Sequence, residues 1–212
     1  MIQKIRYAVS HPAYLWRRLS DPFYKATHYD FTQWARVVMY RELFDEIRRA
    51  GPEKLRVLEI APGGPESPWR SLGFAEYVGV DYPQFDICKE RLDRQFDLII
   101  ADQVFEHLLW PYRAGKNVFS MLRPGGTFIC TTPFLIRIHE NPVDCSRWTE
   151  AGIKYFLAEV GFELENIRTG SWGNLNCVRA NLTNPTWARV GWGRSMHNDR
   201  SFPVAIWAVA RR

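Results

Sequence analysis

KLRVLEIAPGG, residues Lys54–Gly64, followed by YVGVD, residues Tyr77–Asp81, is the stretch on which the reading of this chain turns. Leu55, Val57, Leu58 and Ile60 form a short apolar run that predicts a buried parallel strand. Glu59 lies near its end, where it opens into a glycine-containing turn. Gly63 and Gly64 let the backbone approach a ligand closely there. A second apolar strand ends on Asp81, about twenty residues further on, where a carboxylate can take both hydroxyls of a ribose. The pairing points to an adenosine-containing cofactor, and its spacing alone also fits a nicotinamide dinucleotide.

The segments that follow narrow the choice. Phe96–Asp102, FDLIIAD, predicts another buried strand running into QVFEHL, Gln103–Leu108, and MLRPGG, Met121–Gly126, turns into a strand over Thr127–Thr132. The series LEIAPGG, VGVD, FDLIIADQVFEHL and LRPGGTFICTTP resembles the class I S-adenosylmethionine-dependent methyltransferases over roughly Lys54–Phe162. That resemblance implies a three-layer, Rossmann-like α/β fold with a mostly parallel seven-stranded sheet and an antiparallel last strand. It also implies S-adenosylmethionine as cofactor and S-adenosylhomocysteine as product.

The chain has 212 residues, which suits one domain with a sizeable core. We divide it into an N-terminal helical lid or cap (1–51), a cofactor-binding core (52–168), a substrate-side insertion (169–201) and a last strand (202–212). No window approaches the roughly 18–20 apolar residues that span a bilayer, and the N-terminus lacks a secretory apolar segment, so a soluble cytoplasmic protein is expected. Cys88, Cys130, Cys145 and Cys177 are scattered without a C-x-x-C pair and read as free thiols. The formal charge of +5 is spread over helices and both termini with no basic and aromatic platform, which argues against a nucleic-acid partner. Residues 1–19 mix apolar and basic positions at near-helical spacing, so they fit either packing over the domain or contact with an anionic membrane surface. Oligomeric state is not legible.

Asp30 with Gln33 predicts a capping-box start for a helix running to Gly51. Between Asp81 and Phe96 there is room for one short strand around Asp86–Cys88 and none for a normal crossover helix, a shortened crossover after strand two. Trp110–Pro111 starts a helix ending near Leu122, and Thr149 caps one that stops at Gly161. Phe162–Arg168 and Phe202–Ala210 read as the last two strands.

On the cofactor side, Glu59 is placed for the methionine ammonium and the turn at Ala61, Gly63 and Gly64 for its carboxylate. Ala61 stands where the resembling family has glycine, and is tolerable there if its φ is negative. Asp81 is the ribose ligand, with Tyr82 flanking the nucleoside. The resemblance places Asp86 at the adenine amine and the backbone of Ile87 at the ring. Asp102 and Gln103 lie at a strand's carboxyl end, and His107 braces the same loop.

The loop Thr131–Trp148 concentrates groups for the acceptor. His139 is the candidate general base, since a neutral imidazole is available near pH 7, and Asp144 is its orienting partner. A hydrogen-bonded staple ahead of the Thr149 helix explains the same residues. His-x-x-Pro-x-Asp followed by Arg-Trp-Thr resembles a branch associated with sugar and polysaccharide pathways. Arg147, Trp148, Trp172 and Asn174 are the substrate-side candidates, with Trp187 and Trp192 nearby, because indole faces beside amides suit a saccharide. The expected reaction is methyl transfer to a hydroxyl of a saccharide or small metabolite. Natural-product O- or N-methylation, nucleic-acid methylation and a non-catalytic cofactor-binding module remain as alternatives. No metal is expected, since the His139–Asp144 cluster shows no second histidine or paired-carboxylate frame in sequence.

Overall fold

A computed structural model of the chain describes residues 33–140, 142–183, 187–188, 190–191 and 194–212. Six strands appear among them: β1 (Arg56–Ile60), β2 (Glu76–Val80), β3 (Phe96–Asp102), β4 (Leu122–Pro133), β5 (Ile167–Trp172) and β6 (Ala205–Arg211). They form one sheet in the order β2-β1-β3-β4-β6-β5. β1 to β4 pair in parallel, whereas β6 runs antiparallel to both β4 and β5. The carboxyl ends of β1 to β5 therefore share one edge.

Successive side chains of a strand face opposite sides, and here the two sides fill two cores. Leu58, Ile60, Ile99, Phe128, Cys130, Ile206 and Ala208 pack on one side. There they meet Ala114 and Val118 of α2 (Pro111–Met121) and Ile153 and Leu157 of α3 (Glu150–Val160). Val57, Leu98, Ile100, Ile129 and Val209 pack on the other side. Their partners are Met39, Leu43 and Ile47 of α1 (Ala35–Ala50) and Cys177 of α4 (Leu175–Thr183). The result is the expected three-layer α/β arrangement. α2 and α3 approach closely at Gly115, where a Cβ would lie 2.5 Å from Val160 Cγ2.

Several boundaries differ from the expected ones. α1 begins at Ala35, because Trp34 is extended and buried, and the Gln33 carbonyl accepts the Trp172 indole N–H at 2.8 Å. Asp30 and the rest of 1–32, including the proposed membrane or lid segment, lie outside the described residues. α1 itself is a covering layer of the core. The short strand expected at Asp86–Cys88 is a turn: Asp86 Oδ1 accepts the Cys88 N–H at 3.0 Å and the Asp86 carbonyl accepts Lys89 and Glu90 N–H. That local bonding competes with a strand ladder, so the described sheet has six strands where seven were expected. β5 starts at Ile167 after a 3₁₀ turn (Leu164–Asn166) and runs through Trp172, which moves the edge of the insertion from 169 to 173. α4 was not anticipated. Asn174 starts it by accepting the Cys177 N–H at 2.9 Å.

No helix among the described residues is long and apolar enough to cross a membrane. Cys88, Cys130 and Cys177 are buried free thiols and Cys145 is exposed.

Candidate active site

Register brings the cofactor-side residues together. Ile60 pairs with Val80 and Ala101, and the Ala61 N–H donates to Val80 O at 2.7 Å, so the turn after β1 sits between Asp81 and Asp102. Ala61 has φ +54, the left-handed conformation that sequence reading did not allow it. The position keeps the geometry a glycine would supply, at a cost of about 1–2 kcal/mol. Asp81 is exposed, and its carboxylate has no partner among the described residues. Tyr82 beside it is 71% exposed.

Glu59 and Asp102 are engaged otherwise than expected. The Glu59 carboxylate is buried, at 2% exposure, and accepts the hydroxyls of Ser67 and Tyr77. Burial pushes its pKa up while those two donors oppose the rise. Ser67 also caps the 3₁₀ turn Pro68–Leu72, so Glu59 braces the glycine turn from beneath and is not exposed to a cofactor ammonium. Asp102 accepts from Tyr40 OH at 2.6 Å, from Trp69 Nε1 at 3.2 Å and from Thr131 Oγ1, with Arg36 at 4.0 Å. It locks α1 and the 3₁₀ turn onto the ends of β3 and β4. Gln103 follows at φ +60, with its amide N–H on Thr131 Oγ1 at 2.9 Å and its buried Oε1 without a partner. Asp86 is tied to Cys88 N and to Lys89 at 2.9 Å; the Lys89 contact, with the Cys88 N–H, holds its carboxyl below the usual range. The Ile87 carbonyl accepts Asn117 Nδ2 at 2.7 Å.

In the loop after β4, Asp144 Oδ2 accepts the backbone N–H of His139 at 2.9 Å and lies 3.3 Å from its Nδ1. Arg147 clasps Asp144, lowering its pKa against burial, and sets Nη2 3.3 Å from His139 Nδ1. Burial lowers the His139 pKa, so the neutral imidazole persists below the usual histidine range. His107 Nδ1 meets the Val143 carbonyl at 2.5 Å, bracing the loop. The His107 and His139 rings meet edge to face at 5.0 Å.

Two substrate-side expectations turn inward. Trp172 packs in the α1-side core, and Asn174, 8% exposed, donates to the Ser195 and His197 carbonyls while accepting Cys177 N–H. Its amide is spent inside the chain. Trp148 lies against Phe156 of α3 at 5.5 Å. Trp187 carries the Arg36 guanidinium at 5.0 Å, and Trp192 lies outside the described residues.

Sequence reading passed over Glu106, the glutamate of Glu-His-Leu. Its side chain is 0% exposed, both carboxylate oxygens lack hydrogen-bond partners from other described residues, and burial pushes its pKa up to about 8. The unfolded chain ionises this group near its ordinary value of about 4.3. Between about pH 4.5 and pH 8 the unfolded state thus binds fewer protons than the fold, and stability falls as pH rises. Glu106→Gln removes the ionisable group but keeps a buried amide, so a net gain of about 1–3 kcal/mol is expected at pH 9. Thermal melts should show that gain vanishing by pH 4; a gain independent of pH would contradict the assignment.

A description of the methyltransferase domain as a family matches residues 28–166. The chain belongs to the methyltransferase-domain family. Over 102 residues this methyltransferase is 30% identical to a probable S-adenosylmethionine-dependent methyltransferase of Mycolicibacterium smegmatis. That alignment covers 42% of this chain and 40% of the relative, so the chain spans well under half of it. An S-adenosylmethionine-dependent methyltransferase of Mesorhizobium loti shares the fold, with a TM-score of 0.55, 17% identity, and 79% and 96% of the two chains covered. So does phosphoethanolamine N-methyltransferase 2 of Haemonchus contortus, solved with S-adenosyl-L-methionine, at a TM-score of 0.54 and 14% identity, covering 82% of this chain and 52% of that one. Two of these proteins are named as S-adenosylmethionine-dependent methyltransferases and the third was solved with that cofactor. The residues present fit that cofactor. A Cβ on Gly63 (φ +66) or Gly64 (φ +121) would enter open space, so the turn offers bare backbone beside the exposed Asp81.

Proposed function

We propose that the methyltransferase transfers its methyl group to a hydroxyl of a small polar metabolite, with a saccharide as the leading class. The observation that carries this reading is a neutral, half-buried His139 tethered to Asp144 on the sheet edge that also holds Asp81 and the glycine turn. Asp81 would hold the ribose, the 61–64 backbone the methionine carboxylate, and the orphaned Gln103 Oε1 the ammonium that Glu59 does not reach. When bound, S-adenosylmethionine supplies an electrophilic methyl on a sulfonium. His139 takes the hydroxyl proton as the oxygen attacks, and Asp144 beside Nδ1 stabilises the imidazolium formed. Arg147 keeps Asp144 ionised for that task. The saccharide class rests on the His-x-x-Pro-x-Asp and Arg-Trp-Thr resemblance; the inward Trp172 and Asn174 do not add to it.

Incubation with methyl-labelled S-adenosylmethionine and a panel of sugars, nucleotide sugars, phenols, amines and nucleic acids tests this. Label is expected on a sugar-type hydroxyl. Label on an amine, a carbon or a nucleic-acid base would replace the reading.

A further inference from the structure

The 3₁₀ turn after β3 (Phe105–His107) and the loop after β4 bring three donors together that are far apart in sequence. One ligand-capable atom each from Glu106, His107 and His139 lies within 4.8 Å of the others. This supplies the second histidine that spacing alone did not reveal. The cluster sits on the carboxyl edge of the sheet, beside Asp102 and the acceptor-side loop.

Its hydrogen bonding is incomplete in a specific way. A carbonyl can only accept, so the contact with Val143 O puts the proton of a neutral His107 on Nδ1 and leaves Nε2 as a bare lone pair. Nε2 faces Glu106 Oε1 at 3.6 Å, too long for a hydrogen bond. Among the described residues neither oxygen of that fully buried carboxylate accepts a hydrogen bond from another residue. The Glu106 carboxyl and the Nε2 lone pair therefore lie side by side with no hydrogen bond between them, and a cation there would pair the carboxylate form of this buried side chain. A backbone carbonyl behind a ligating imidazole is the usual outer support of a metal site. Asp144 Oδ2 offers the same support to His139 Nδ1, in competition with Arg147 Nη2, both at 3.3 Å.

We infer that Glu106, His107 and His139 form a binding site for one divalent first-row cation of the zinc or manganese type. Two imidazoles and a carboxylate are a donor set for such ions, with a further position open to an oxygen ligand. Donors around a tetrahedral ion with bonds of about 2.0–2.1 Å lie about 3.3 Å apart. The His107 to Glu106 separation is already near that value, and a rotation of His139 closes the rest. The bound state pairs the Glu106 carboxylate with a cation shared with Nε2. On the proposed hydroxyl chemistry, on which this last role rests, the open position would hold the acceptor oxygen and lower its pKa, with His139 then serving as a ligand in place of the base.

The test uses the full chain stripped with a chelator and titrated with zinc by calorimetry, and with cobalt by visible absorption. About one ion per chain is expected, with cobalt bands of a nitrogen-ligated, low-coordinate site and a raised melting temperature. Glu106→Gln and His107→Asn should each weaken binding tenfold or more. Glu106→Gln keeps a neutral side chain of the same shape in the same place, and a melt of the metal-free variant matching or exceeding that of the metal-free wild type at neutral pH shows that its lost binding is not unfolding. No binding, or equal binding by wild type and Glu106→Gln, overturns the site. Methyl transfer to a hydroxyl by the stripped enzyme at an undiminished rate would remove the cation from the reaction while leaving the proposed acceptor intact. Cation binding with label found only on amines would uphold the site and defeat the acceptor assignment.

Discussion

Replacing Asp81 by alanine is expected to weaken S-adenosylmethionine binding by about tenfold or more. Hydrogen bonds to an ionised group contribute roughly 1.5–3 kcal/mol, and each 1.4 kcal/mol is a factor of ten. Asp81 is the carboxylate of this edge best placed to deliver that difference to a ligand. Glu59 is spent on Ser67 and Tyr77, and Asp102 on Tyr40, Trp69 and Thr131. Alanine at either of those positions removes a brace and should lower the melting temperature as well as affinity. At Asp81, exposed and without a side-chain partner among the described residues, affinity should fall while stability stays within about 0.5 kcal/mol of wild type. Calorimetry with S-adenosylhomocysteine and a parallel melt separate the two. Unchanged affinity, or tighter binding of a nicotinamide dinucleotide, would remove Asp81 from the ribose.

The difference among these three carboxylates shows what the sequence could and could not disclose. Buried strands are legible because apolar runs such as FDLIIAD and FPVAIWAVA have few other solutions, and the parallel order follows from their alternation with helices. Thr149 and Gly161 bracket α3 as their capping chemistry requires, with Thr149 Oγ1 accepting Gly152 N–H at 3.0 Å. Strand ends are less legible where local bonds compete. Asp86 captures its own turn, and Phe162 enters the core ahead of a 3₁₀ turn, delaying β5. α4 was missed because LNCVRANLT is short and owes its start to Asn174, which accepts the Cys177 N–H.

Function within the site follows the same division. Being at a strand's carboxyl end is readable; being free to touch a ligand is a matter of which side chains arrive from elsewhere. Tyr40 comes from α1 and Trp69 from the turn after β1, and neither spacing announces that both will close on Asp102. The same holds for Trp172, whose indole N–H finds the Gln33 carbonyl across 139 residues of chain. Glu106 could have been suspected: it neighbours His107 in a motif whose preceding residues, Val104 and Phe105, are apolar and buried. A charged residue drawn into such a segment without a partner is worth more notice than its sequence position suggests.

His139→Ala carries the second large expected effect, a fall in turnover of about a hundredfold or more, the range for loss of a general base. Cofactor affinity should stay near wild type, because His139 lies in the loop after β4 and the proposed cofactor contacts follow β1, β2 and β3. An alcohol becomes a strong nucleophile only as its proton leaves, so the loss belongs in the chemical step and should persist at saturating acceptor. The pH profile adds a second handle. Burial lowers the His139 pKa, so activity limited by its neutral form should rise with pH through a value below 6.5 and then level off. The alanine variant should lose that acidic limb. Asp144→Asn should move the limb too, while also freeing Arg147 from its carboxylate, and hence lower stability where His139→Ala does not. Repeating the series after chelation separates proton transfer from metal ligation. An imidazole ligated through Nε2 cannot also take a proton there, so a hundredfold gap that persists between the stripped enzymes assigns His139 to the proton, whereas a gap seen only with the cation present assigns it to the ion. Normal turnover by the variant at saturating acceptor would leave alignment alone to drive the transfer, and collapsed cofactor binding would make His139 a staple of its loop.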